Sequence, residues 1–181
     1  LGDSAASIWA DGQNSGLKVA TVSFTNTGAL AYTGSGARKL TFRGGNRGDG
    51  VNFNTFAPII ADGSGGATSI SKLEDSIWLL TGANTFTGSV TIERGTLSIG
   101  NNSALGTSAG GVVVTTQSGT NDIRSFFDLR GVTISNESLA LQGTTSFGTN
   151  SAFGNGWGAS SGANVCTGSV ANGGTGIWSV L

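Results

Sequence analysis

Val90 and Ile92 lie on one face of a short alternating run, and Leu97 and Ile99 on one face of the next, with Glu93-Arg94-Gly95 as the turn between. Alternation of period two over so few residues is the pattern of a half-buried strand. The same beat recurs along the chain, in Ala20/Val22/Phe24, Leu30/Tyr32, Leu40/Phe42 and Val51/Phe53, then in Phe127/Leu129, Val132/Ile134 and Leu139/Leu141. Ile70 and Leu73 lead into a dense apolar run, Ile77-Trp78-Leu79-Leu80, and Val112-Val113-Val114 is a stiff β-branched stretch. Phe56, Ile59 and Ile60 surround Pro58, which marks a corner or an edge. No segment carries a helical stripe, and Ser71 to Leu80 reads as strand.

Asn-Thr-Gly, Gly-Ser-Gly, Gly-Gly-Asn, Asp-Gly-Ser-Gly-Gly and Gly-Asn-Asn separate these runs. Such residues form turns because Gly and Asn tolerate positive φ, and Asn, Asp, Ser and Thr side chains bond nearby backbone. Runs spaced by roughly eight to twelve residues suit a sandwich, a barrel or a β-solenoid. Short even strands, Gly/Asn corners and the look of two successive sides of one coil favour the solenoid, with a β-sandwich as the alternative. The copies are too degenerate to fix a period within the ~20–50 residues of repeat proteins. Coils are expected over residues 1–142. Residues 143–181 read as a Gly/Ser/Asn-rich extension of the same elongated domain, with Phe147, Phe153 and Trp157 spaced along it. It closes on an apolar strand, Ile177, Trp178, Ser179, Val180 and Leu181. An exposed strand there is an aggregation hazard, so more chain or a partner is expected beside it. The sharper expectation is that this strand docks on another subunit and builds head-to-tail fibres.

Composition sharpens the setting. Of 181 residues 32 are Gly, well above the roughly 7% average, yet one Pro and the lack of a Gly-X-Y period exclude a Pro-rich linker or collagen. Charged residues make up 10%, against ~25% in typical domains, so the surface is built of Ser, Thr, Asn and Gly, as in secreted or cell-surface repeat proteins. A net charge of −1 gives no basic field for nucleic acid. The basic cluster Arg38, Lys39, Arg43 and Arg47 reads as a solvated strand face, Lys39, Thr41 and Arg43 outward and Leu40 and Phe42 inward. Cys166 is the only cysteine, so an intrachain disulfide is excluded and a small inert thiol is the ordinary reading. No run is long enough to span a membrane as a helix. The chain opens at Leu1 without a signal peptide, which reads as a mature, processed or excised segment.

Residues 69–97 carry a resemblance. Ser69-Ile70-Ser71-Lys72-Leu73, then Ile77-Trp78-Leu79-Leu80-Thr81-Gly82-Ala83-Asn84-Thr85-Phe86-Thr87-Gly88, Val90-Thr91-Ile92 and Gly95-Thr96-Leu97, resemble the autotransporter-associated β-strand repeat. The flanks, Ala29 to Gly34, Lys39 to Phe42 and Asn101 to Val114, look like neighbouring coils. The resemblance implies a right-handed parallel β-helix, outside the cell or on a bacterial surface. It implies structural roles only: Gly82, Gly88 and Gly95 at corners, Asn84 stacking its amide at a turn, and Val90, Ile92, Leu97 and Ile99 in the core. The chain departs from the pattern at Leu73-Glu74-Asp75-Ser76, where the family often has glycines, which puts that corner's geometry in question. The resemblance does not extend over Gly143 to Leu181.

Candidate chemistry is sparse. The lack of histidine removes the commonest general base and transition-metal ligand. A glycosidase needs two carboxylates at a defined separation. Asp122 and Asp128 lie six apart, Glu74 and Asp75 are adjacent and Glu93 sits beside Arg94 in a turn, and each reads as a solvated or turn carboxylate. Asp49 and Asp62 sit in Asp-Gly turns without the nonapeptide calcium pattern. Arg47-Gly48-Asp49 spells an adhesive tripeptide that a Gly-rich chain produces by chance. Trp9, Trp78, Trp157 and Trp178 offer ring faces to sugars. Trp78 reads as core and Trp157 as the exposed candidate. The expectation is a non-catalytic extracellular structural protein without cofactor, self-associating, with an adhesin or glycan-binding module as the second reading and a polysaccharide-degrading β-helix as the third.

Overall fold

A computed structural model describes residues 2, 4–12, 20–46, 53–115, 125–142, 151–154, 163–172 and 178–180, with the backbone course only at 151–154, 172 and 178–180. The strands are β1 (Ala6–Trp9), β2 (Ser23–Phe24), β3 (Arg38–Arg43), β4 (Asn54–Phe56), β5 (Thr68–Lys72), β6 (Ile77–Leu80), β7 (Val90–Ile92) and β8 (Gly95–Ile99). They continue as β9 (Val112–Thr115), β10 (Ser125–Leu129), β11 (Thr133–Ile134), β12 (Leu139–Gln142), β13 (Ser151–Gly154), β14 (Val165–Cys166), β15 (Val170–Asn172) and β16 (Trp178–Val180). No helix occurs among the described residues.

From β1 to β10 successive strands alternate between two sheets. One runs β1-β3-β5-β7-β9-β12-β15, the other β2-β4-β6-β8-β10-β13-β16, and β11 pairs with β14 in a third. The strand pairings are parallel throughout, for example Leu40 with Ile70 and Leu97 with Phe127. The molecule is therefore all-β with parallel sheets, a connectivity consistent with a solenoid and unlike a sandwich of antiparallel layers. The ladders run on into β13, β15 and β16, beyond residue 142.

Register stacks like upon like. Leu40, Ile70, Val90, Val112 and Leu139 lie opposite one another along the first sheet. Phe56, Leu80, Ile99 and Leu129 do the same along the second. Both rows belong to one core, completed by Ile60, Phe86, Leu105, Val132 and Ile134. Burial of these side chains, worth ~25 cal/mol per Å², drives the stacking. The period-two reading placed Val90, Ile92, Leu97 and Ile99 there, and each is buried.

Three expectations need correction. Ser71 to Leu80 is not one strand: the corner Leu73–Ser76 divides it into β5 and β6, which belong to different sheets. Leu30 and Tyr32 form no strand. Ala29 makes a single bridge to Ile59, and Tyr32 acts as a post, its hydroxyl accepting a hydrogen bond from the Ala61 amide at 3.0 Å. On β3, Leu40 and Phe42 do point inward, but Thr41 and Arg38 are buried as well, so this is not a simply solvated face.

Candidate functional site

Charged and polar side chains gather at the corner that follows β5. Lys72 stands in register between Phe42 and Ile92, on an inward-facing row, and is fully buried. Its ammonium group donates to the carbonyls of Leu73 and Glu74, both at 2.7 Å, and of Arg94 at 3.0 Å. Three N–H donors thus meet three acceptors from two successive layers. Burial pulls its pKa down to about 7, against the opposing pull of Asp75 and Glu74.

The neighbouring charges tie layer to layer. Glu74 accepts from Arg43, in the preceding layer, and from the Gly44 amide at 2.9 Å. Asp75 accepts from Arg94, in the next layer, at 3.0 Å. The Arg43 guanidinium also lies 3.9 Å over the exposed Trp9 ring. At the position where the resembled repeat has glycines, Glu74 itself takes the left-handed conformation, with φ 59°. Strain of that kind persists where surrounding contacts over-determine it, and the Arg43 and Gly44 hydrogen bonds supply them. Gly95, with φ 74°, lies so close that an added Cβ would come within 2.2 Å of the Glu74 carbonyl. At Gly88 a Cβ would meet the Thr68 carbonyl at 2.3 Å, and at Gly82 the Pro58 carbonyl at 2.6 Å.

Other candidates serve the frame as well. Asp62 accepts from the amides of Thr68 at 2.7 Å and Thr87 at 3.1 Å, and from the Thr87 hydroxyl at 2.7 Å. Burial opposes its charge, but these hydrogen bonds and the Arg38 charge outweigh that and hold the carboxyl below its ordinary range. Asp128, 1% exposed, accepts from Ser98 at 2.8 Å and Arg130 at 3.0 Å. The basic cluster is dispersed: Arg38 is buried over the Tyr32 ring, Arg43 is paired and Lys39 is exposed. Trp78 is in the core, and its indole N–H reaches the Arg43 carbonyl at 3.2 Å. Cys166 packs half-buried against the core. Trp157, Asp122, Arg47-Gly48-Asp49, Ile177 and Leu181 lie outside the described residues. Trp178, Ser179 and Val180 form β16, paired with β13.

Sequence reasoning found Asn84 and missed its equivalents. The Asn84 amide accepts from Ile60 N–H at 2.8 Å and donates to the Ala104 carbonyl at 2.6 Å. Asn54 does the same between Val22 at 3.0 Å and Ile77 at 2.9 Å, and Asn164 between Val132 at 3.0 Å and Leu129 at 3.1 Å. An Asn falling on the inward beat of a strand pattern, as Asn54 does, is the available signal.

Glu137 was missed too. It is buried. Burial pushes its pKa up. An acid whose pKa is raised on folding holds its proton better in the folded chain. Its contribution to stability is complete below the ordinary pKa near 4.5 and is lost as pH rises through the folded value. Glu137→Gln is expected to raise the melting temperature at pH 7 and, in a scan from pH 4 to 7, to remove the part of its pH dependence that sets in above about 4.5. Thermal melts of both chains across that range check it. An unchanged slope counts against it.

Over 93 residues, 51% of the chain, the sequence is 42% identical to the Adhesin BmaC autotransporter of Brucella suis biovar 1 (strain 1330), and the match covers 3% of that protein. No family model and no solved structure matches the chain. The likeness relates the chain to an autotransporter adhesin and assigns it to no repeat family. That relation places the chain outside the cell or on the bacterial surface, as its charge-poor composition predicts.

Proposed function

We propose that the chain is a length of right-handed parallel β-helix in an extracellular bacterial surface protein, a non-catalytic building block of a stalk, matrix or filament. The observation that carries this reading is the chain-order alternation of short strands between two parallel sheets over one core. The repeat resemblance over residues 69–97 supports the handedness and the architecture. The use made of the acids supports an inert role: Asp62, Glu74, Asp75 and Asp128 each hold backbone, hydroxyl or guanidinium groups of the frame. Among the described residues, seven strands in each of the two long sheets, stacked about 4.8 Å apart, give a rung count suited to reach.

The second reading, an adhesin or glycan-binding module, is favoured by the printed name of the relative, an adhesin. The purified chain is to be incubated with neutral and acidic polysaccharides, following new chain ends and tryptophan fluorescence, and displayed on a non-adherent bacterium. The scaffold reading expects no cleavage, no fluorescence titration and no gain of adherence. Saturable quenching lost in Trp157→Ala, or adherence gained on display, moves the conclusion to the second reading. Turnover abolished by Asp128→Asn overturns the non-catalytic one.

A further inference from the structure

The asparagines of this chain divide by where the carboxamide goes. Those of Asn54, Asn84 and Asn164 bond between layers. Asn136 differs. It stands at the corner between β11 and β12, with φ 60°, and is exposed. Its backbone amide donates to the Thr167 hydroxyl at 3.3 Å, so the main chain is held from the next layer. Exposure alternates over the following two residues: Glu137 is buried and Ser138 exposed. The corner lies inside the stack. A Cβ added at Gly111, one layer before, would strike the Ser138 hydroxyl, and one at Gly168, one layer on, the Glu137 carbonyl. Asn136 is thus exposed with a layer in place on each side of it.

Asn136-Glu137-Ser138 is an Asn-x-Ser acceptor triplet for an N-linked sugar, with no proline at its centre. We propose that Asn136 is a glycosylation site, its Nδ2 bearing a sugar transferred from a nucleoside-diphosphate donor by a separate transferase. In that step Nδ2 attacks the anomeric carbon and a C–N bond forms. The bond from that carbon to the diphosphate oxygen breaks, and the nucleoside diphosphate leaves with the electron pair. The amide gives up one proton to a base of the transferase, and nothing is oxidised or reduced. The geometry favours this use of the corner. With Glu137 turned inside, Asn136 and Ser138, the two residues that define the acceptor, share the outer side. The left-handed corner accounts for an asparagine at 136, since Asn tolerates positive φ, but not for a hydroxyl two residues on. A second triplet, Asn101-Asn102-Ser103, is folded differently. Asn101 is half-buried, and its Oδ1 accepts from the Ser103 amide at 2.9 Å, so that carboxamide is tied into its own turn. The surface location provides the setting in which such a sugar is displayed. The inference goes beyond the scaffold reading and stands equally for an adhesin.

The chain is to be isolated from the surface of the bacterium that makes it, digested, and its peptides measured by mass spectrometry before and after mild alkali. The peptide containing Asn136 is expected to be heavier by at least one sugar residue. The increment survives alkali, which strips sugars from serine and threonine hydroxyls but not from an amide nitrogen. The peptide containing Asn101 keeps its bare mass. Asn136→Gln removes the increment, but it also strains a left-handed corner. Ser138→Ala leaves the corner and the carboxamide in place, and the increment at Asn136 is expected to be lost. Ser138→Thr keeps the hydroxyl and keeps the sugar. Thermal melts check that the three variants fold as the wild type does. A bare Asn136 in the wild-type chain, an increment that alkali removes, equal occupancy at Asn101, or a sugar retained in Ser138→Ala overturns the inference. Glycan turnover or adherence sinks the scaffold reading by itself and leaves these masses unchanged.

Discussion

Lys72→Met lowers the stability of the chain by about 2–4 kcal/mol, measured by urea unfolding at pH 7. Methionine keeps the apolar stem between Phe42 and Ile92 but donates nothing. The carbonyls of Leu73, Glu74 and Arg94 then lose the partner they share. A buried acceptor left without its donor costs about 1–3 kcal/mol. Against this stands relief from desolvating an ammonium, which is several kcal/mol in its own right, so the net is smaller than the sum of three lost bonds. The pH dependence separates this account from simple packing loss. Burial holds the pKa of Lys72 at about 7, below the 10.5 of a free lysine. Between those values the unfolded chain binds the extra proton, so stability rises with pH across that window. The variant lacks that rise. An equal slope in both chains would show that Lys72 is not the group responsible.

Trp78→Ala is the other large loss, about 3–5 kcal/mol by the same measurement, in the range for deleting a buried Trp or Phe. Trp78 is fully buried, its ring centroid 5.0 Å from that of Phe42, so the cavity opens between the two sheets. The hydrogen bond to the Arg43 carbonyl goes with it. Trp78→Phe keeps a ring against Phe42 and loses that bond together with only part of the indole's volume, so it is expected to cost less, about 1–3 kcal/mol. Equal losses in the two variants would mean that the hydrogen bond, not the packed volume, holds this part of the core.

Alternation made the strands around Val90, Ile92, Leu97 and Ile99 legible, because a half-buried strand writes its burial into every second residue. It hid Lys72 for the opposite reason. Lys72 lies two residues after Ile70 and so on the same face, but a lysine there reads as solvent until three carbonyls are seen to surround it. Parallel pairing was not legible from local pattern. Leu40 meets Ile70, and Ile70 meets Val90, across whole turns and corners of sequence that period-two reasoning does not connect. The resemblance over residues 69–97 supplied that step. The corner at Leu73–Ser76 was located but not understood, since an acid in the left-handed region is intelligible only with Arg43 and Gly44 beside it. Glu137 and Asn164 left no signal, because nothing in a short polar stretch says which side chain turns inside.

The bonds that Asn84, Asp62, Glu74 and Asp75 make each reach an adjoining layer. Tension applied along the stack therefore loads one interface at a time, as a zipper is loaded, and not all strands together in shear. Such a chain yields by peeling from an end at modest force, and it absorbs work over a long extension while the remaining layers stay folded. In the stalk proposed above, that compliance would act as a brake, its stiffness set corner by corner.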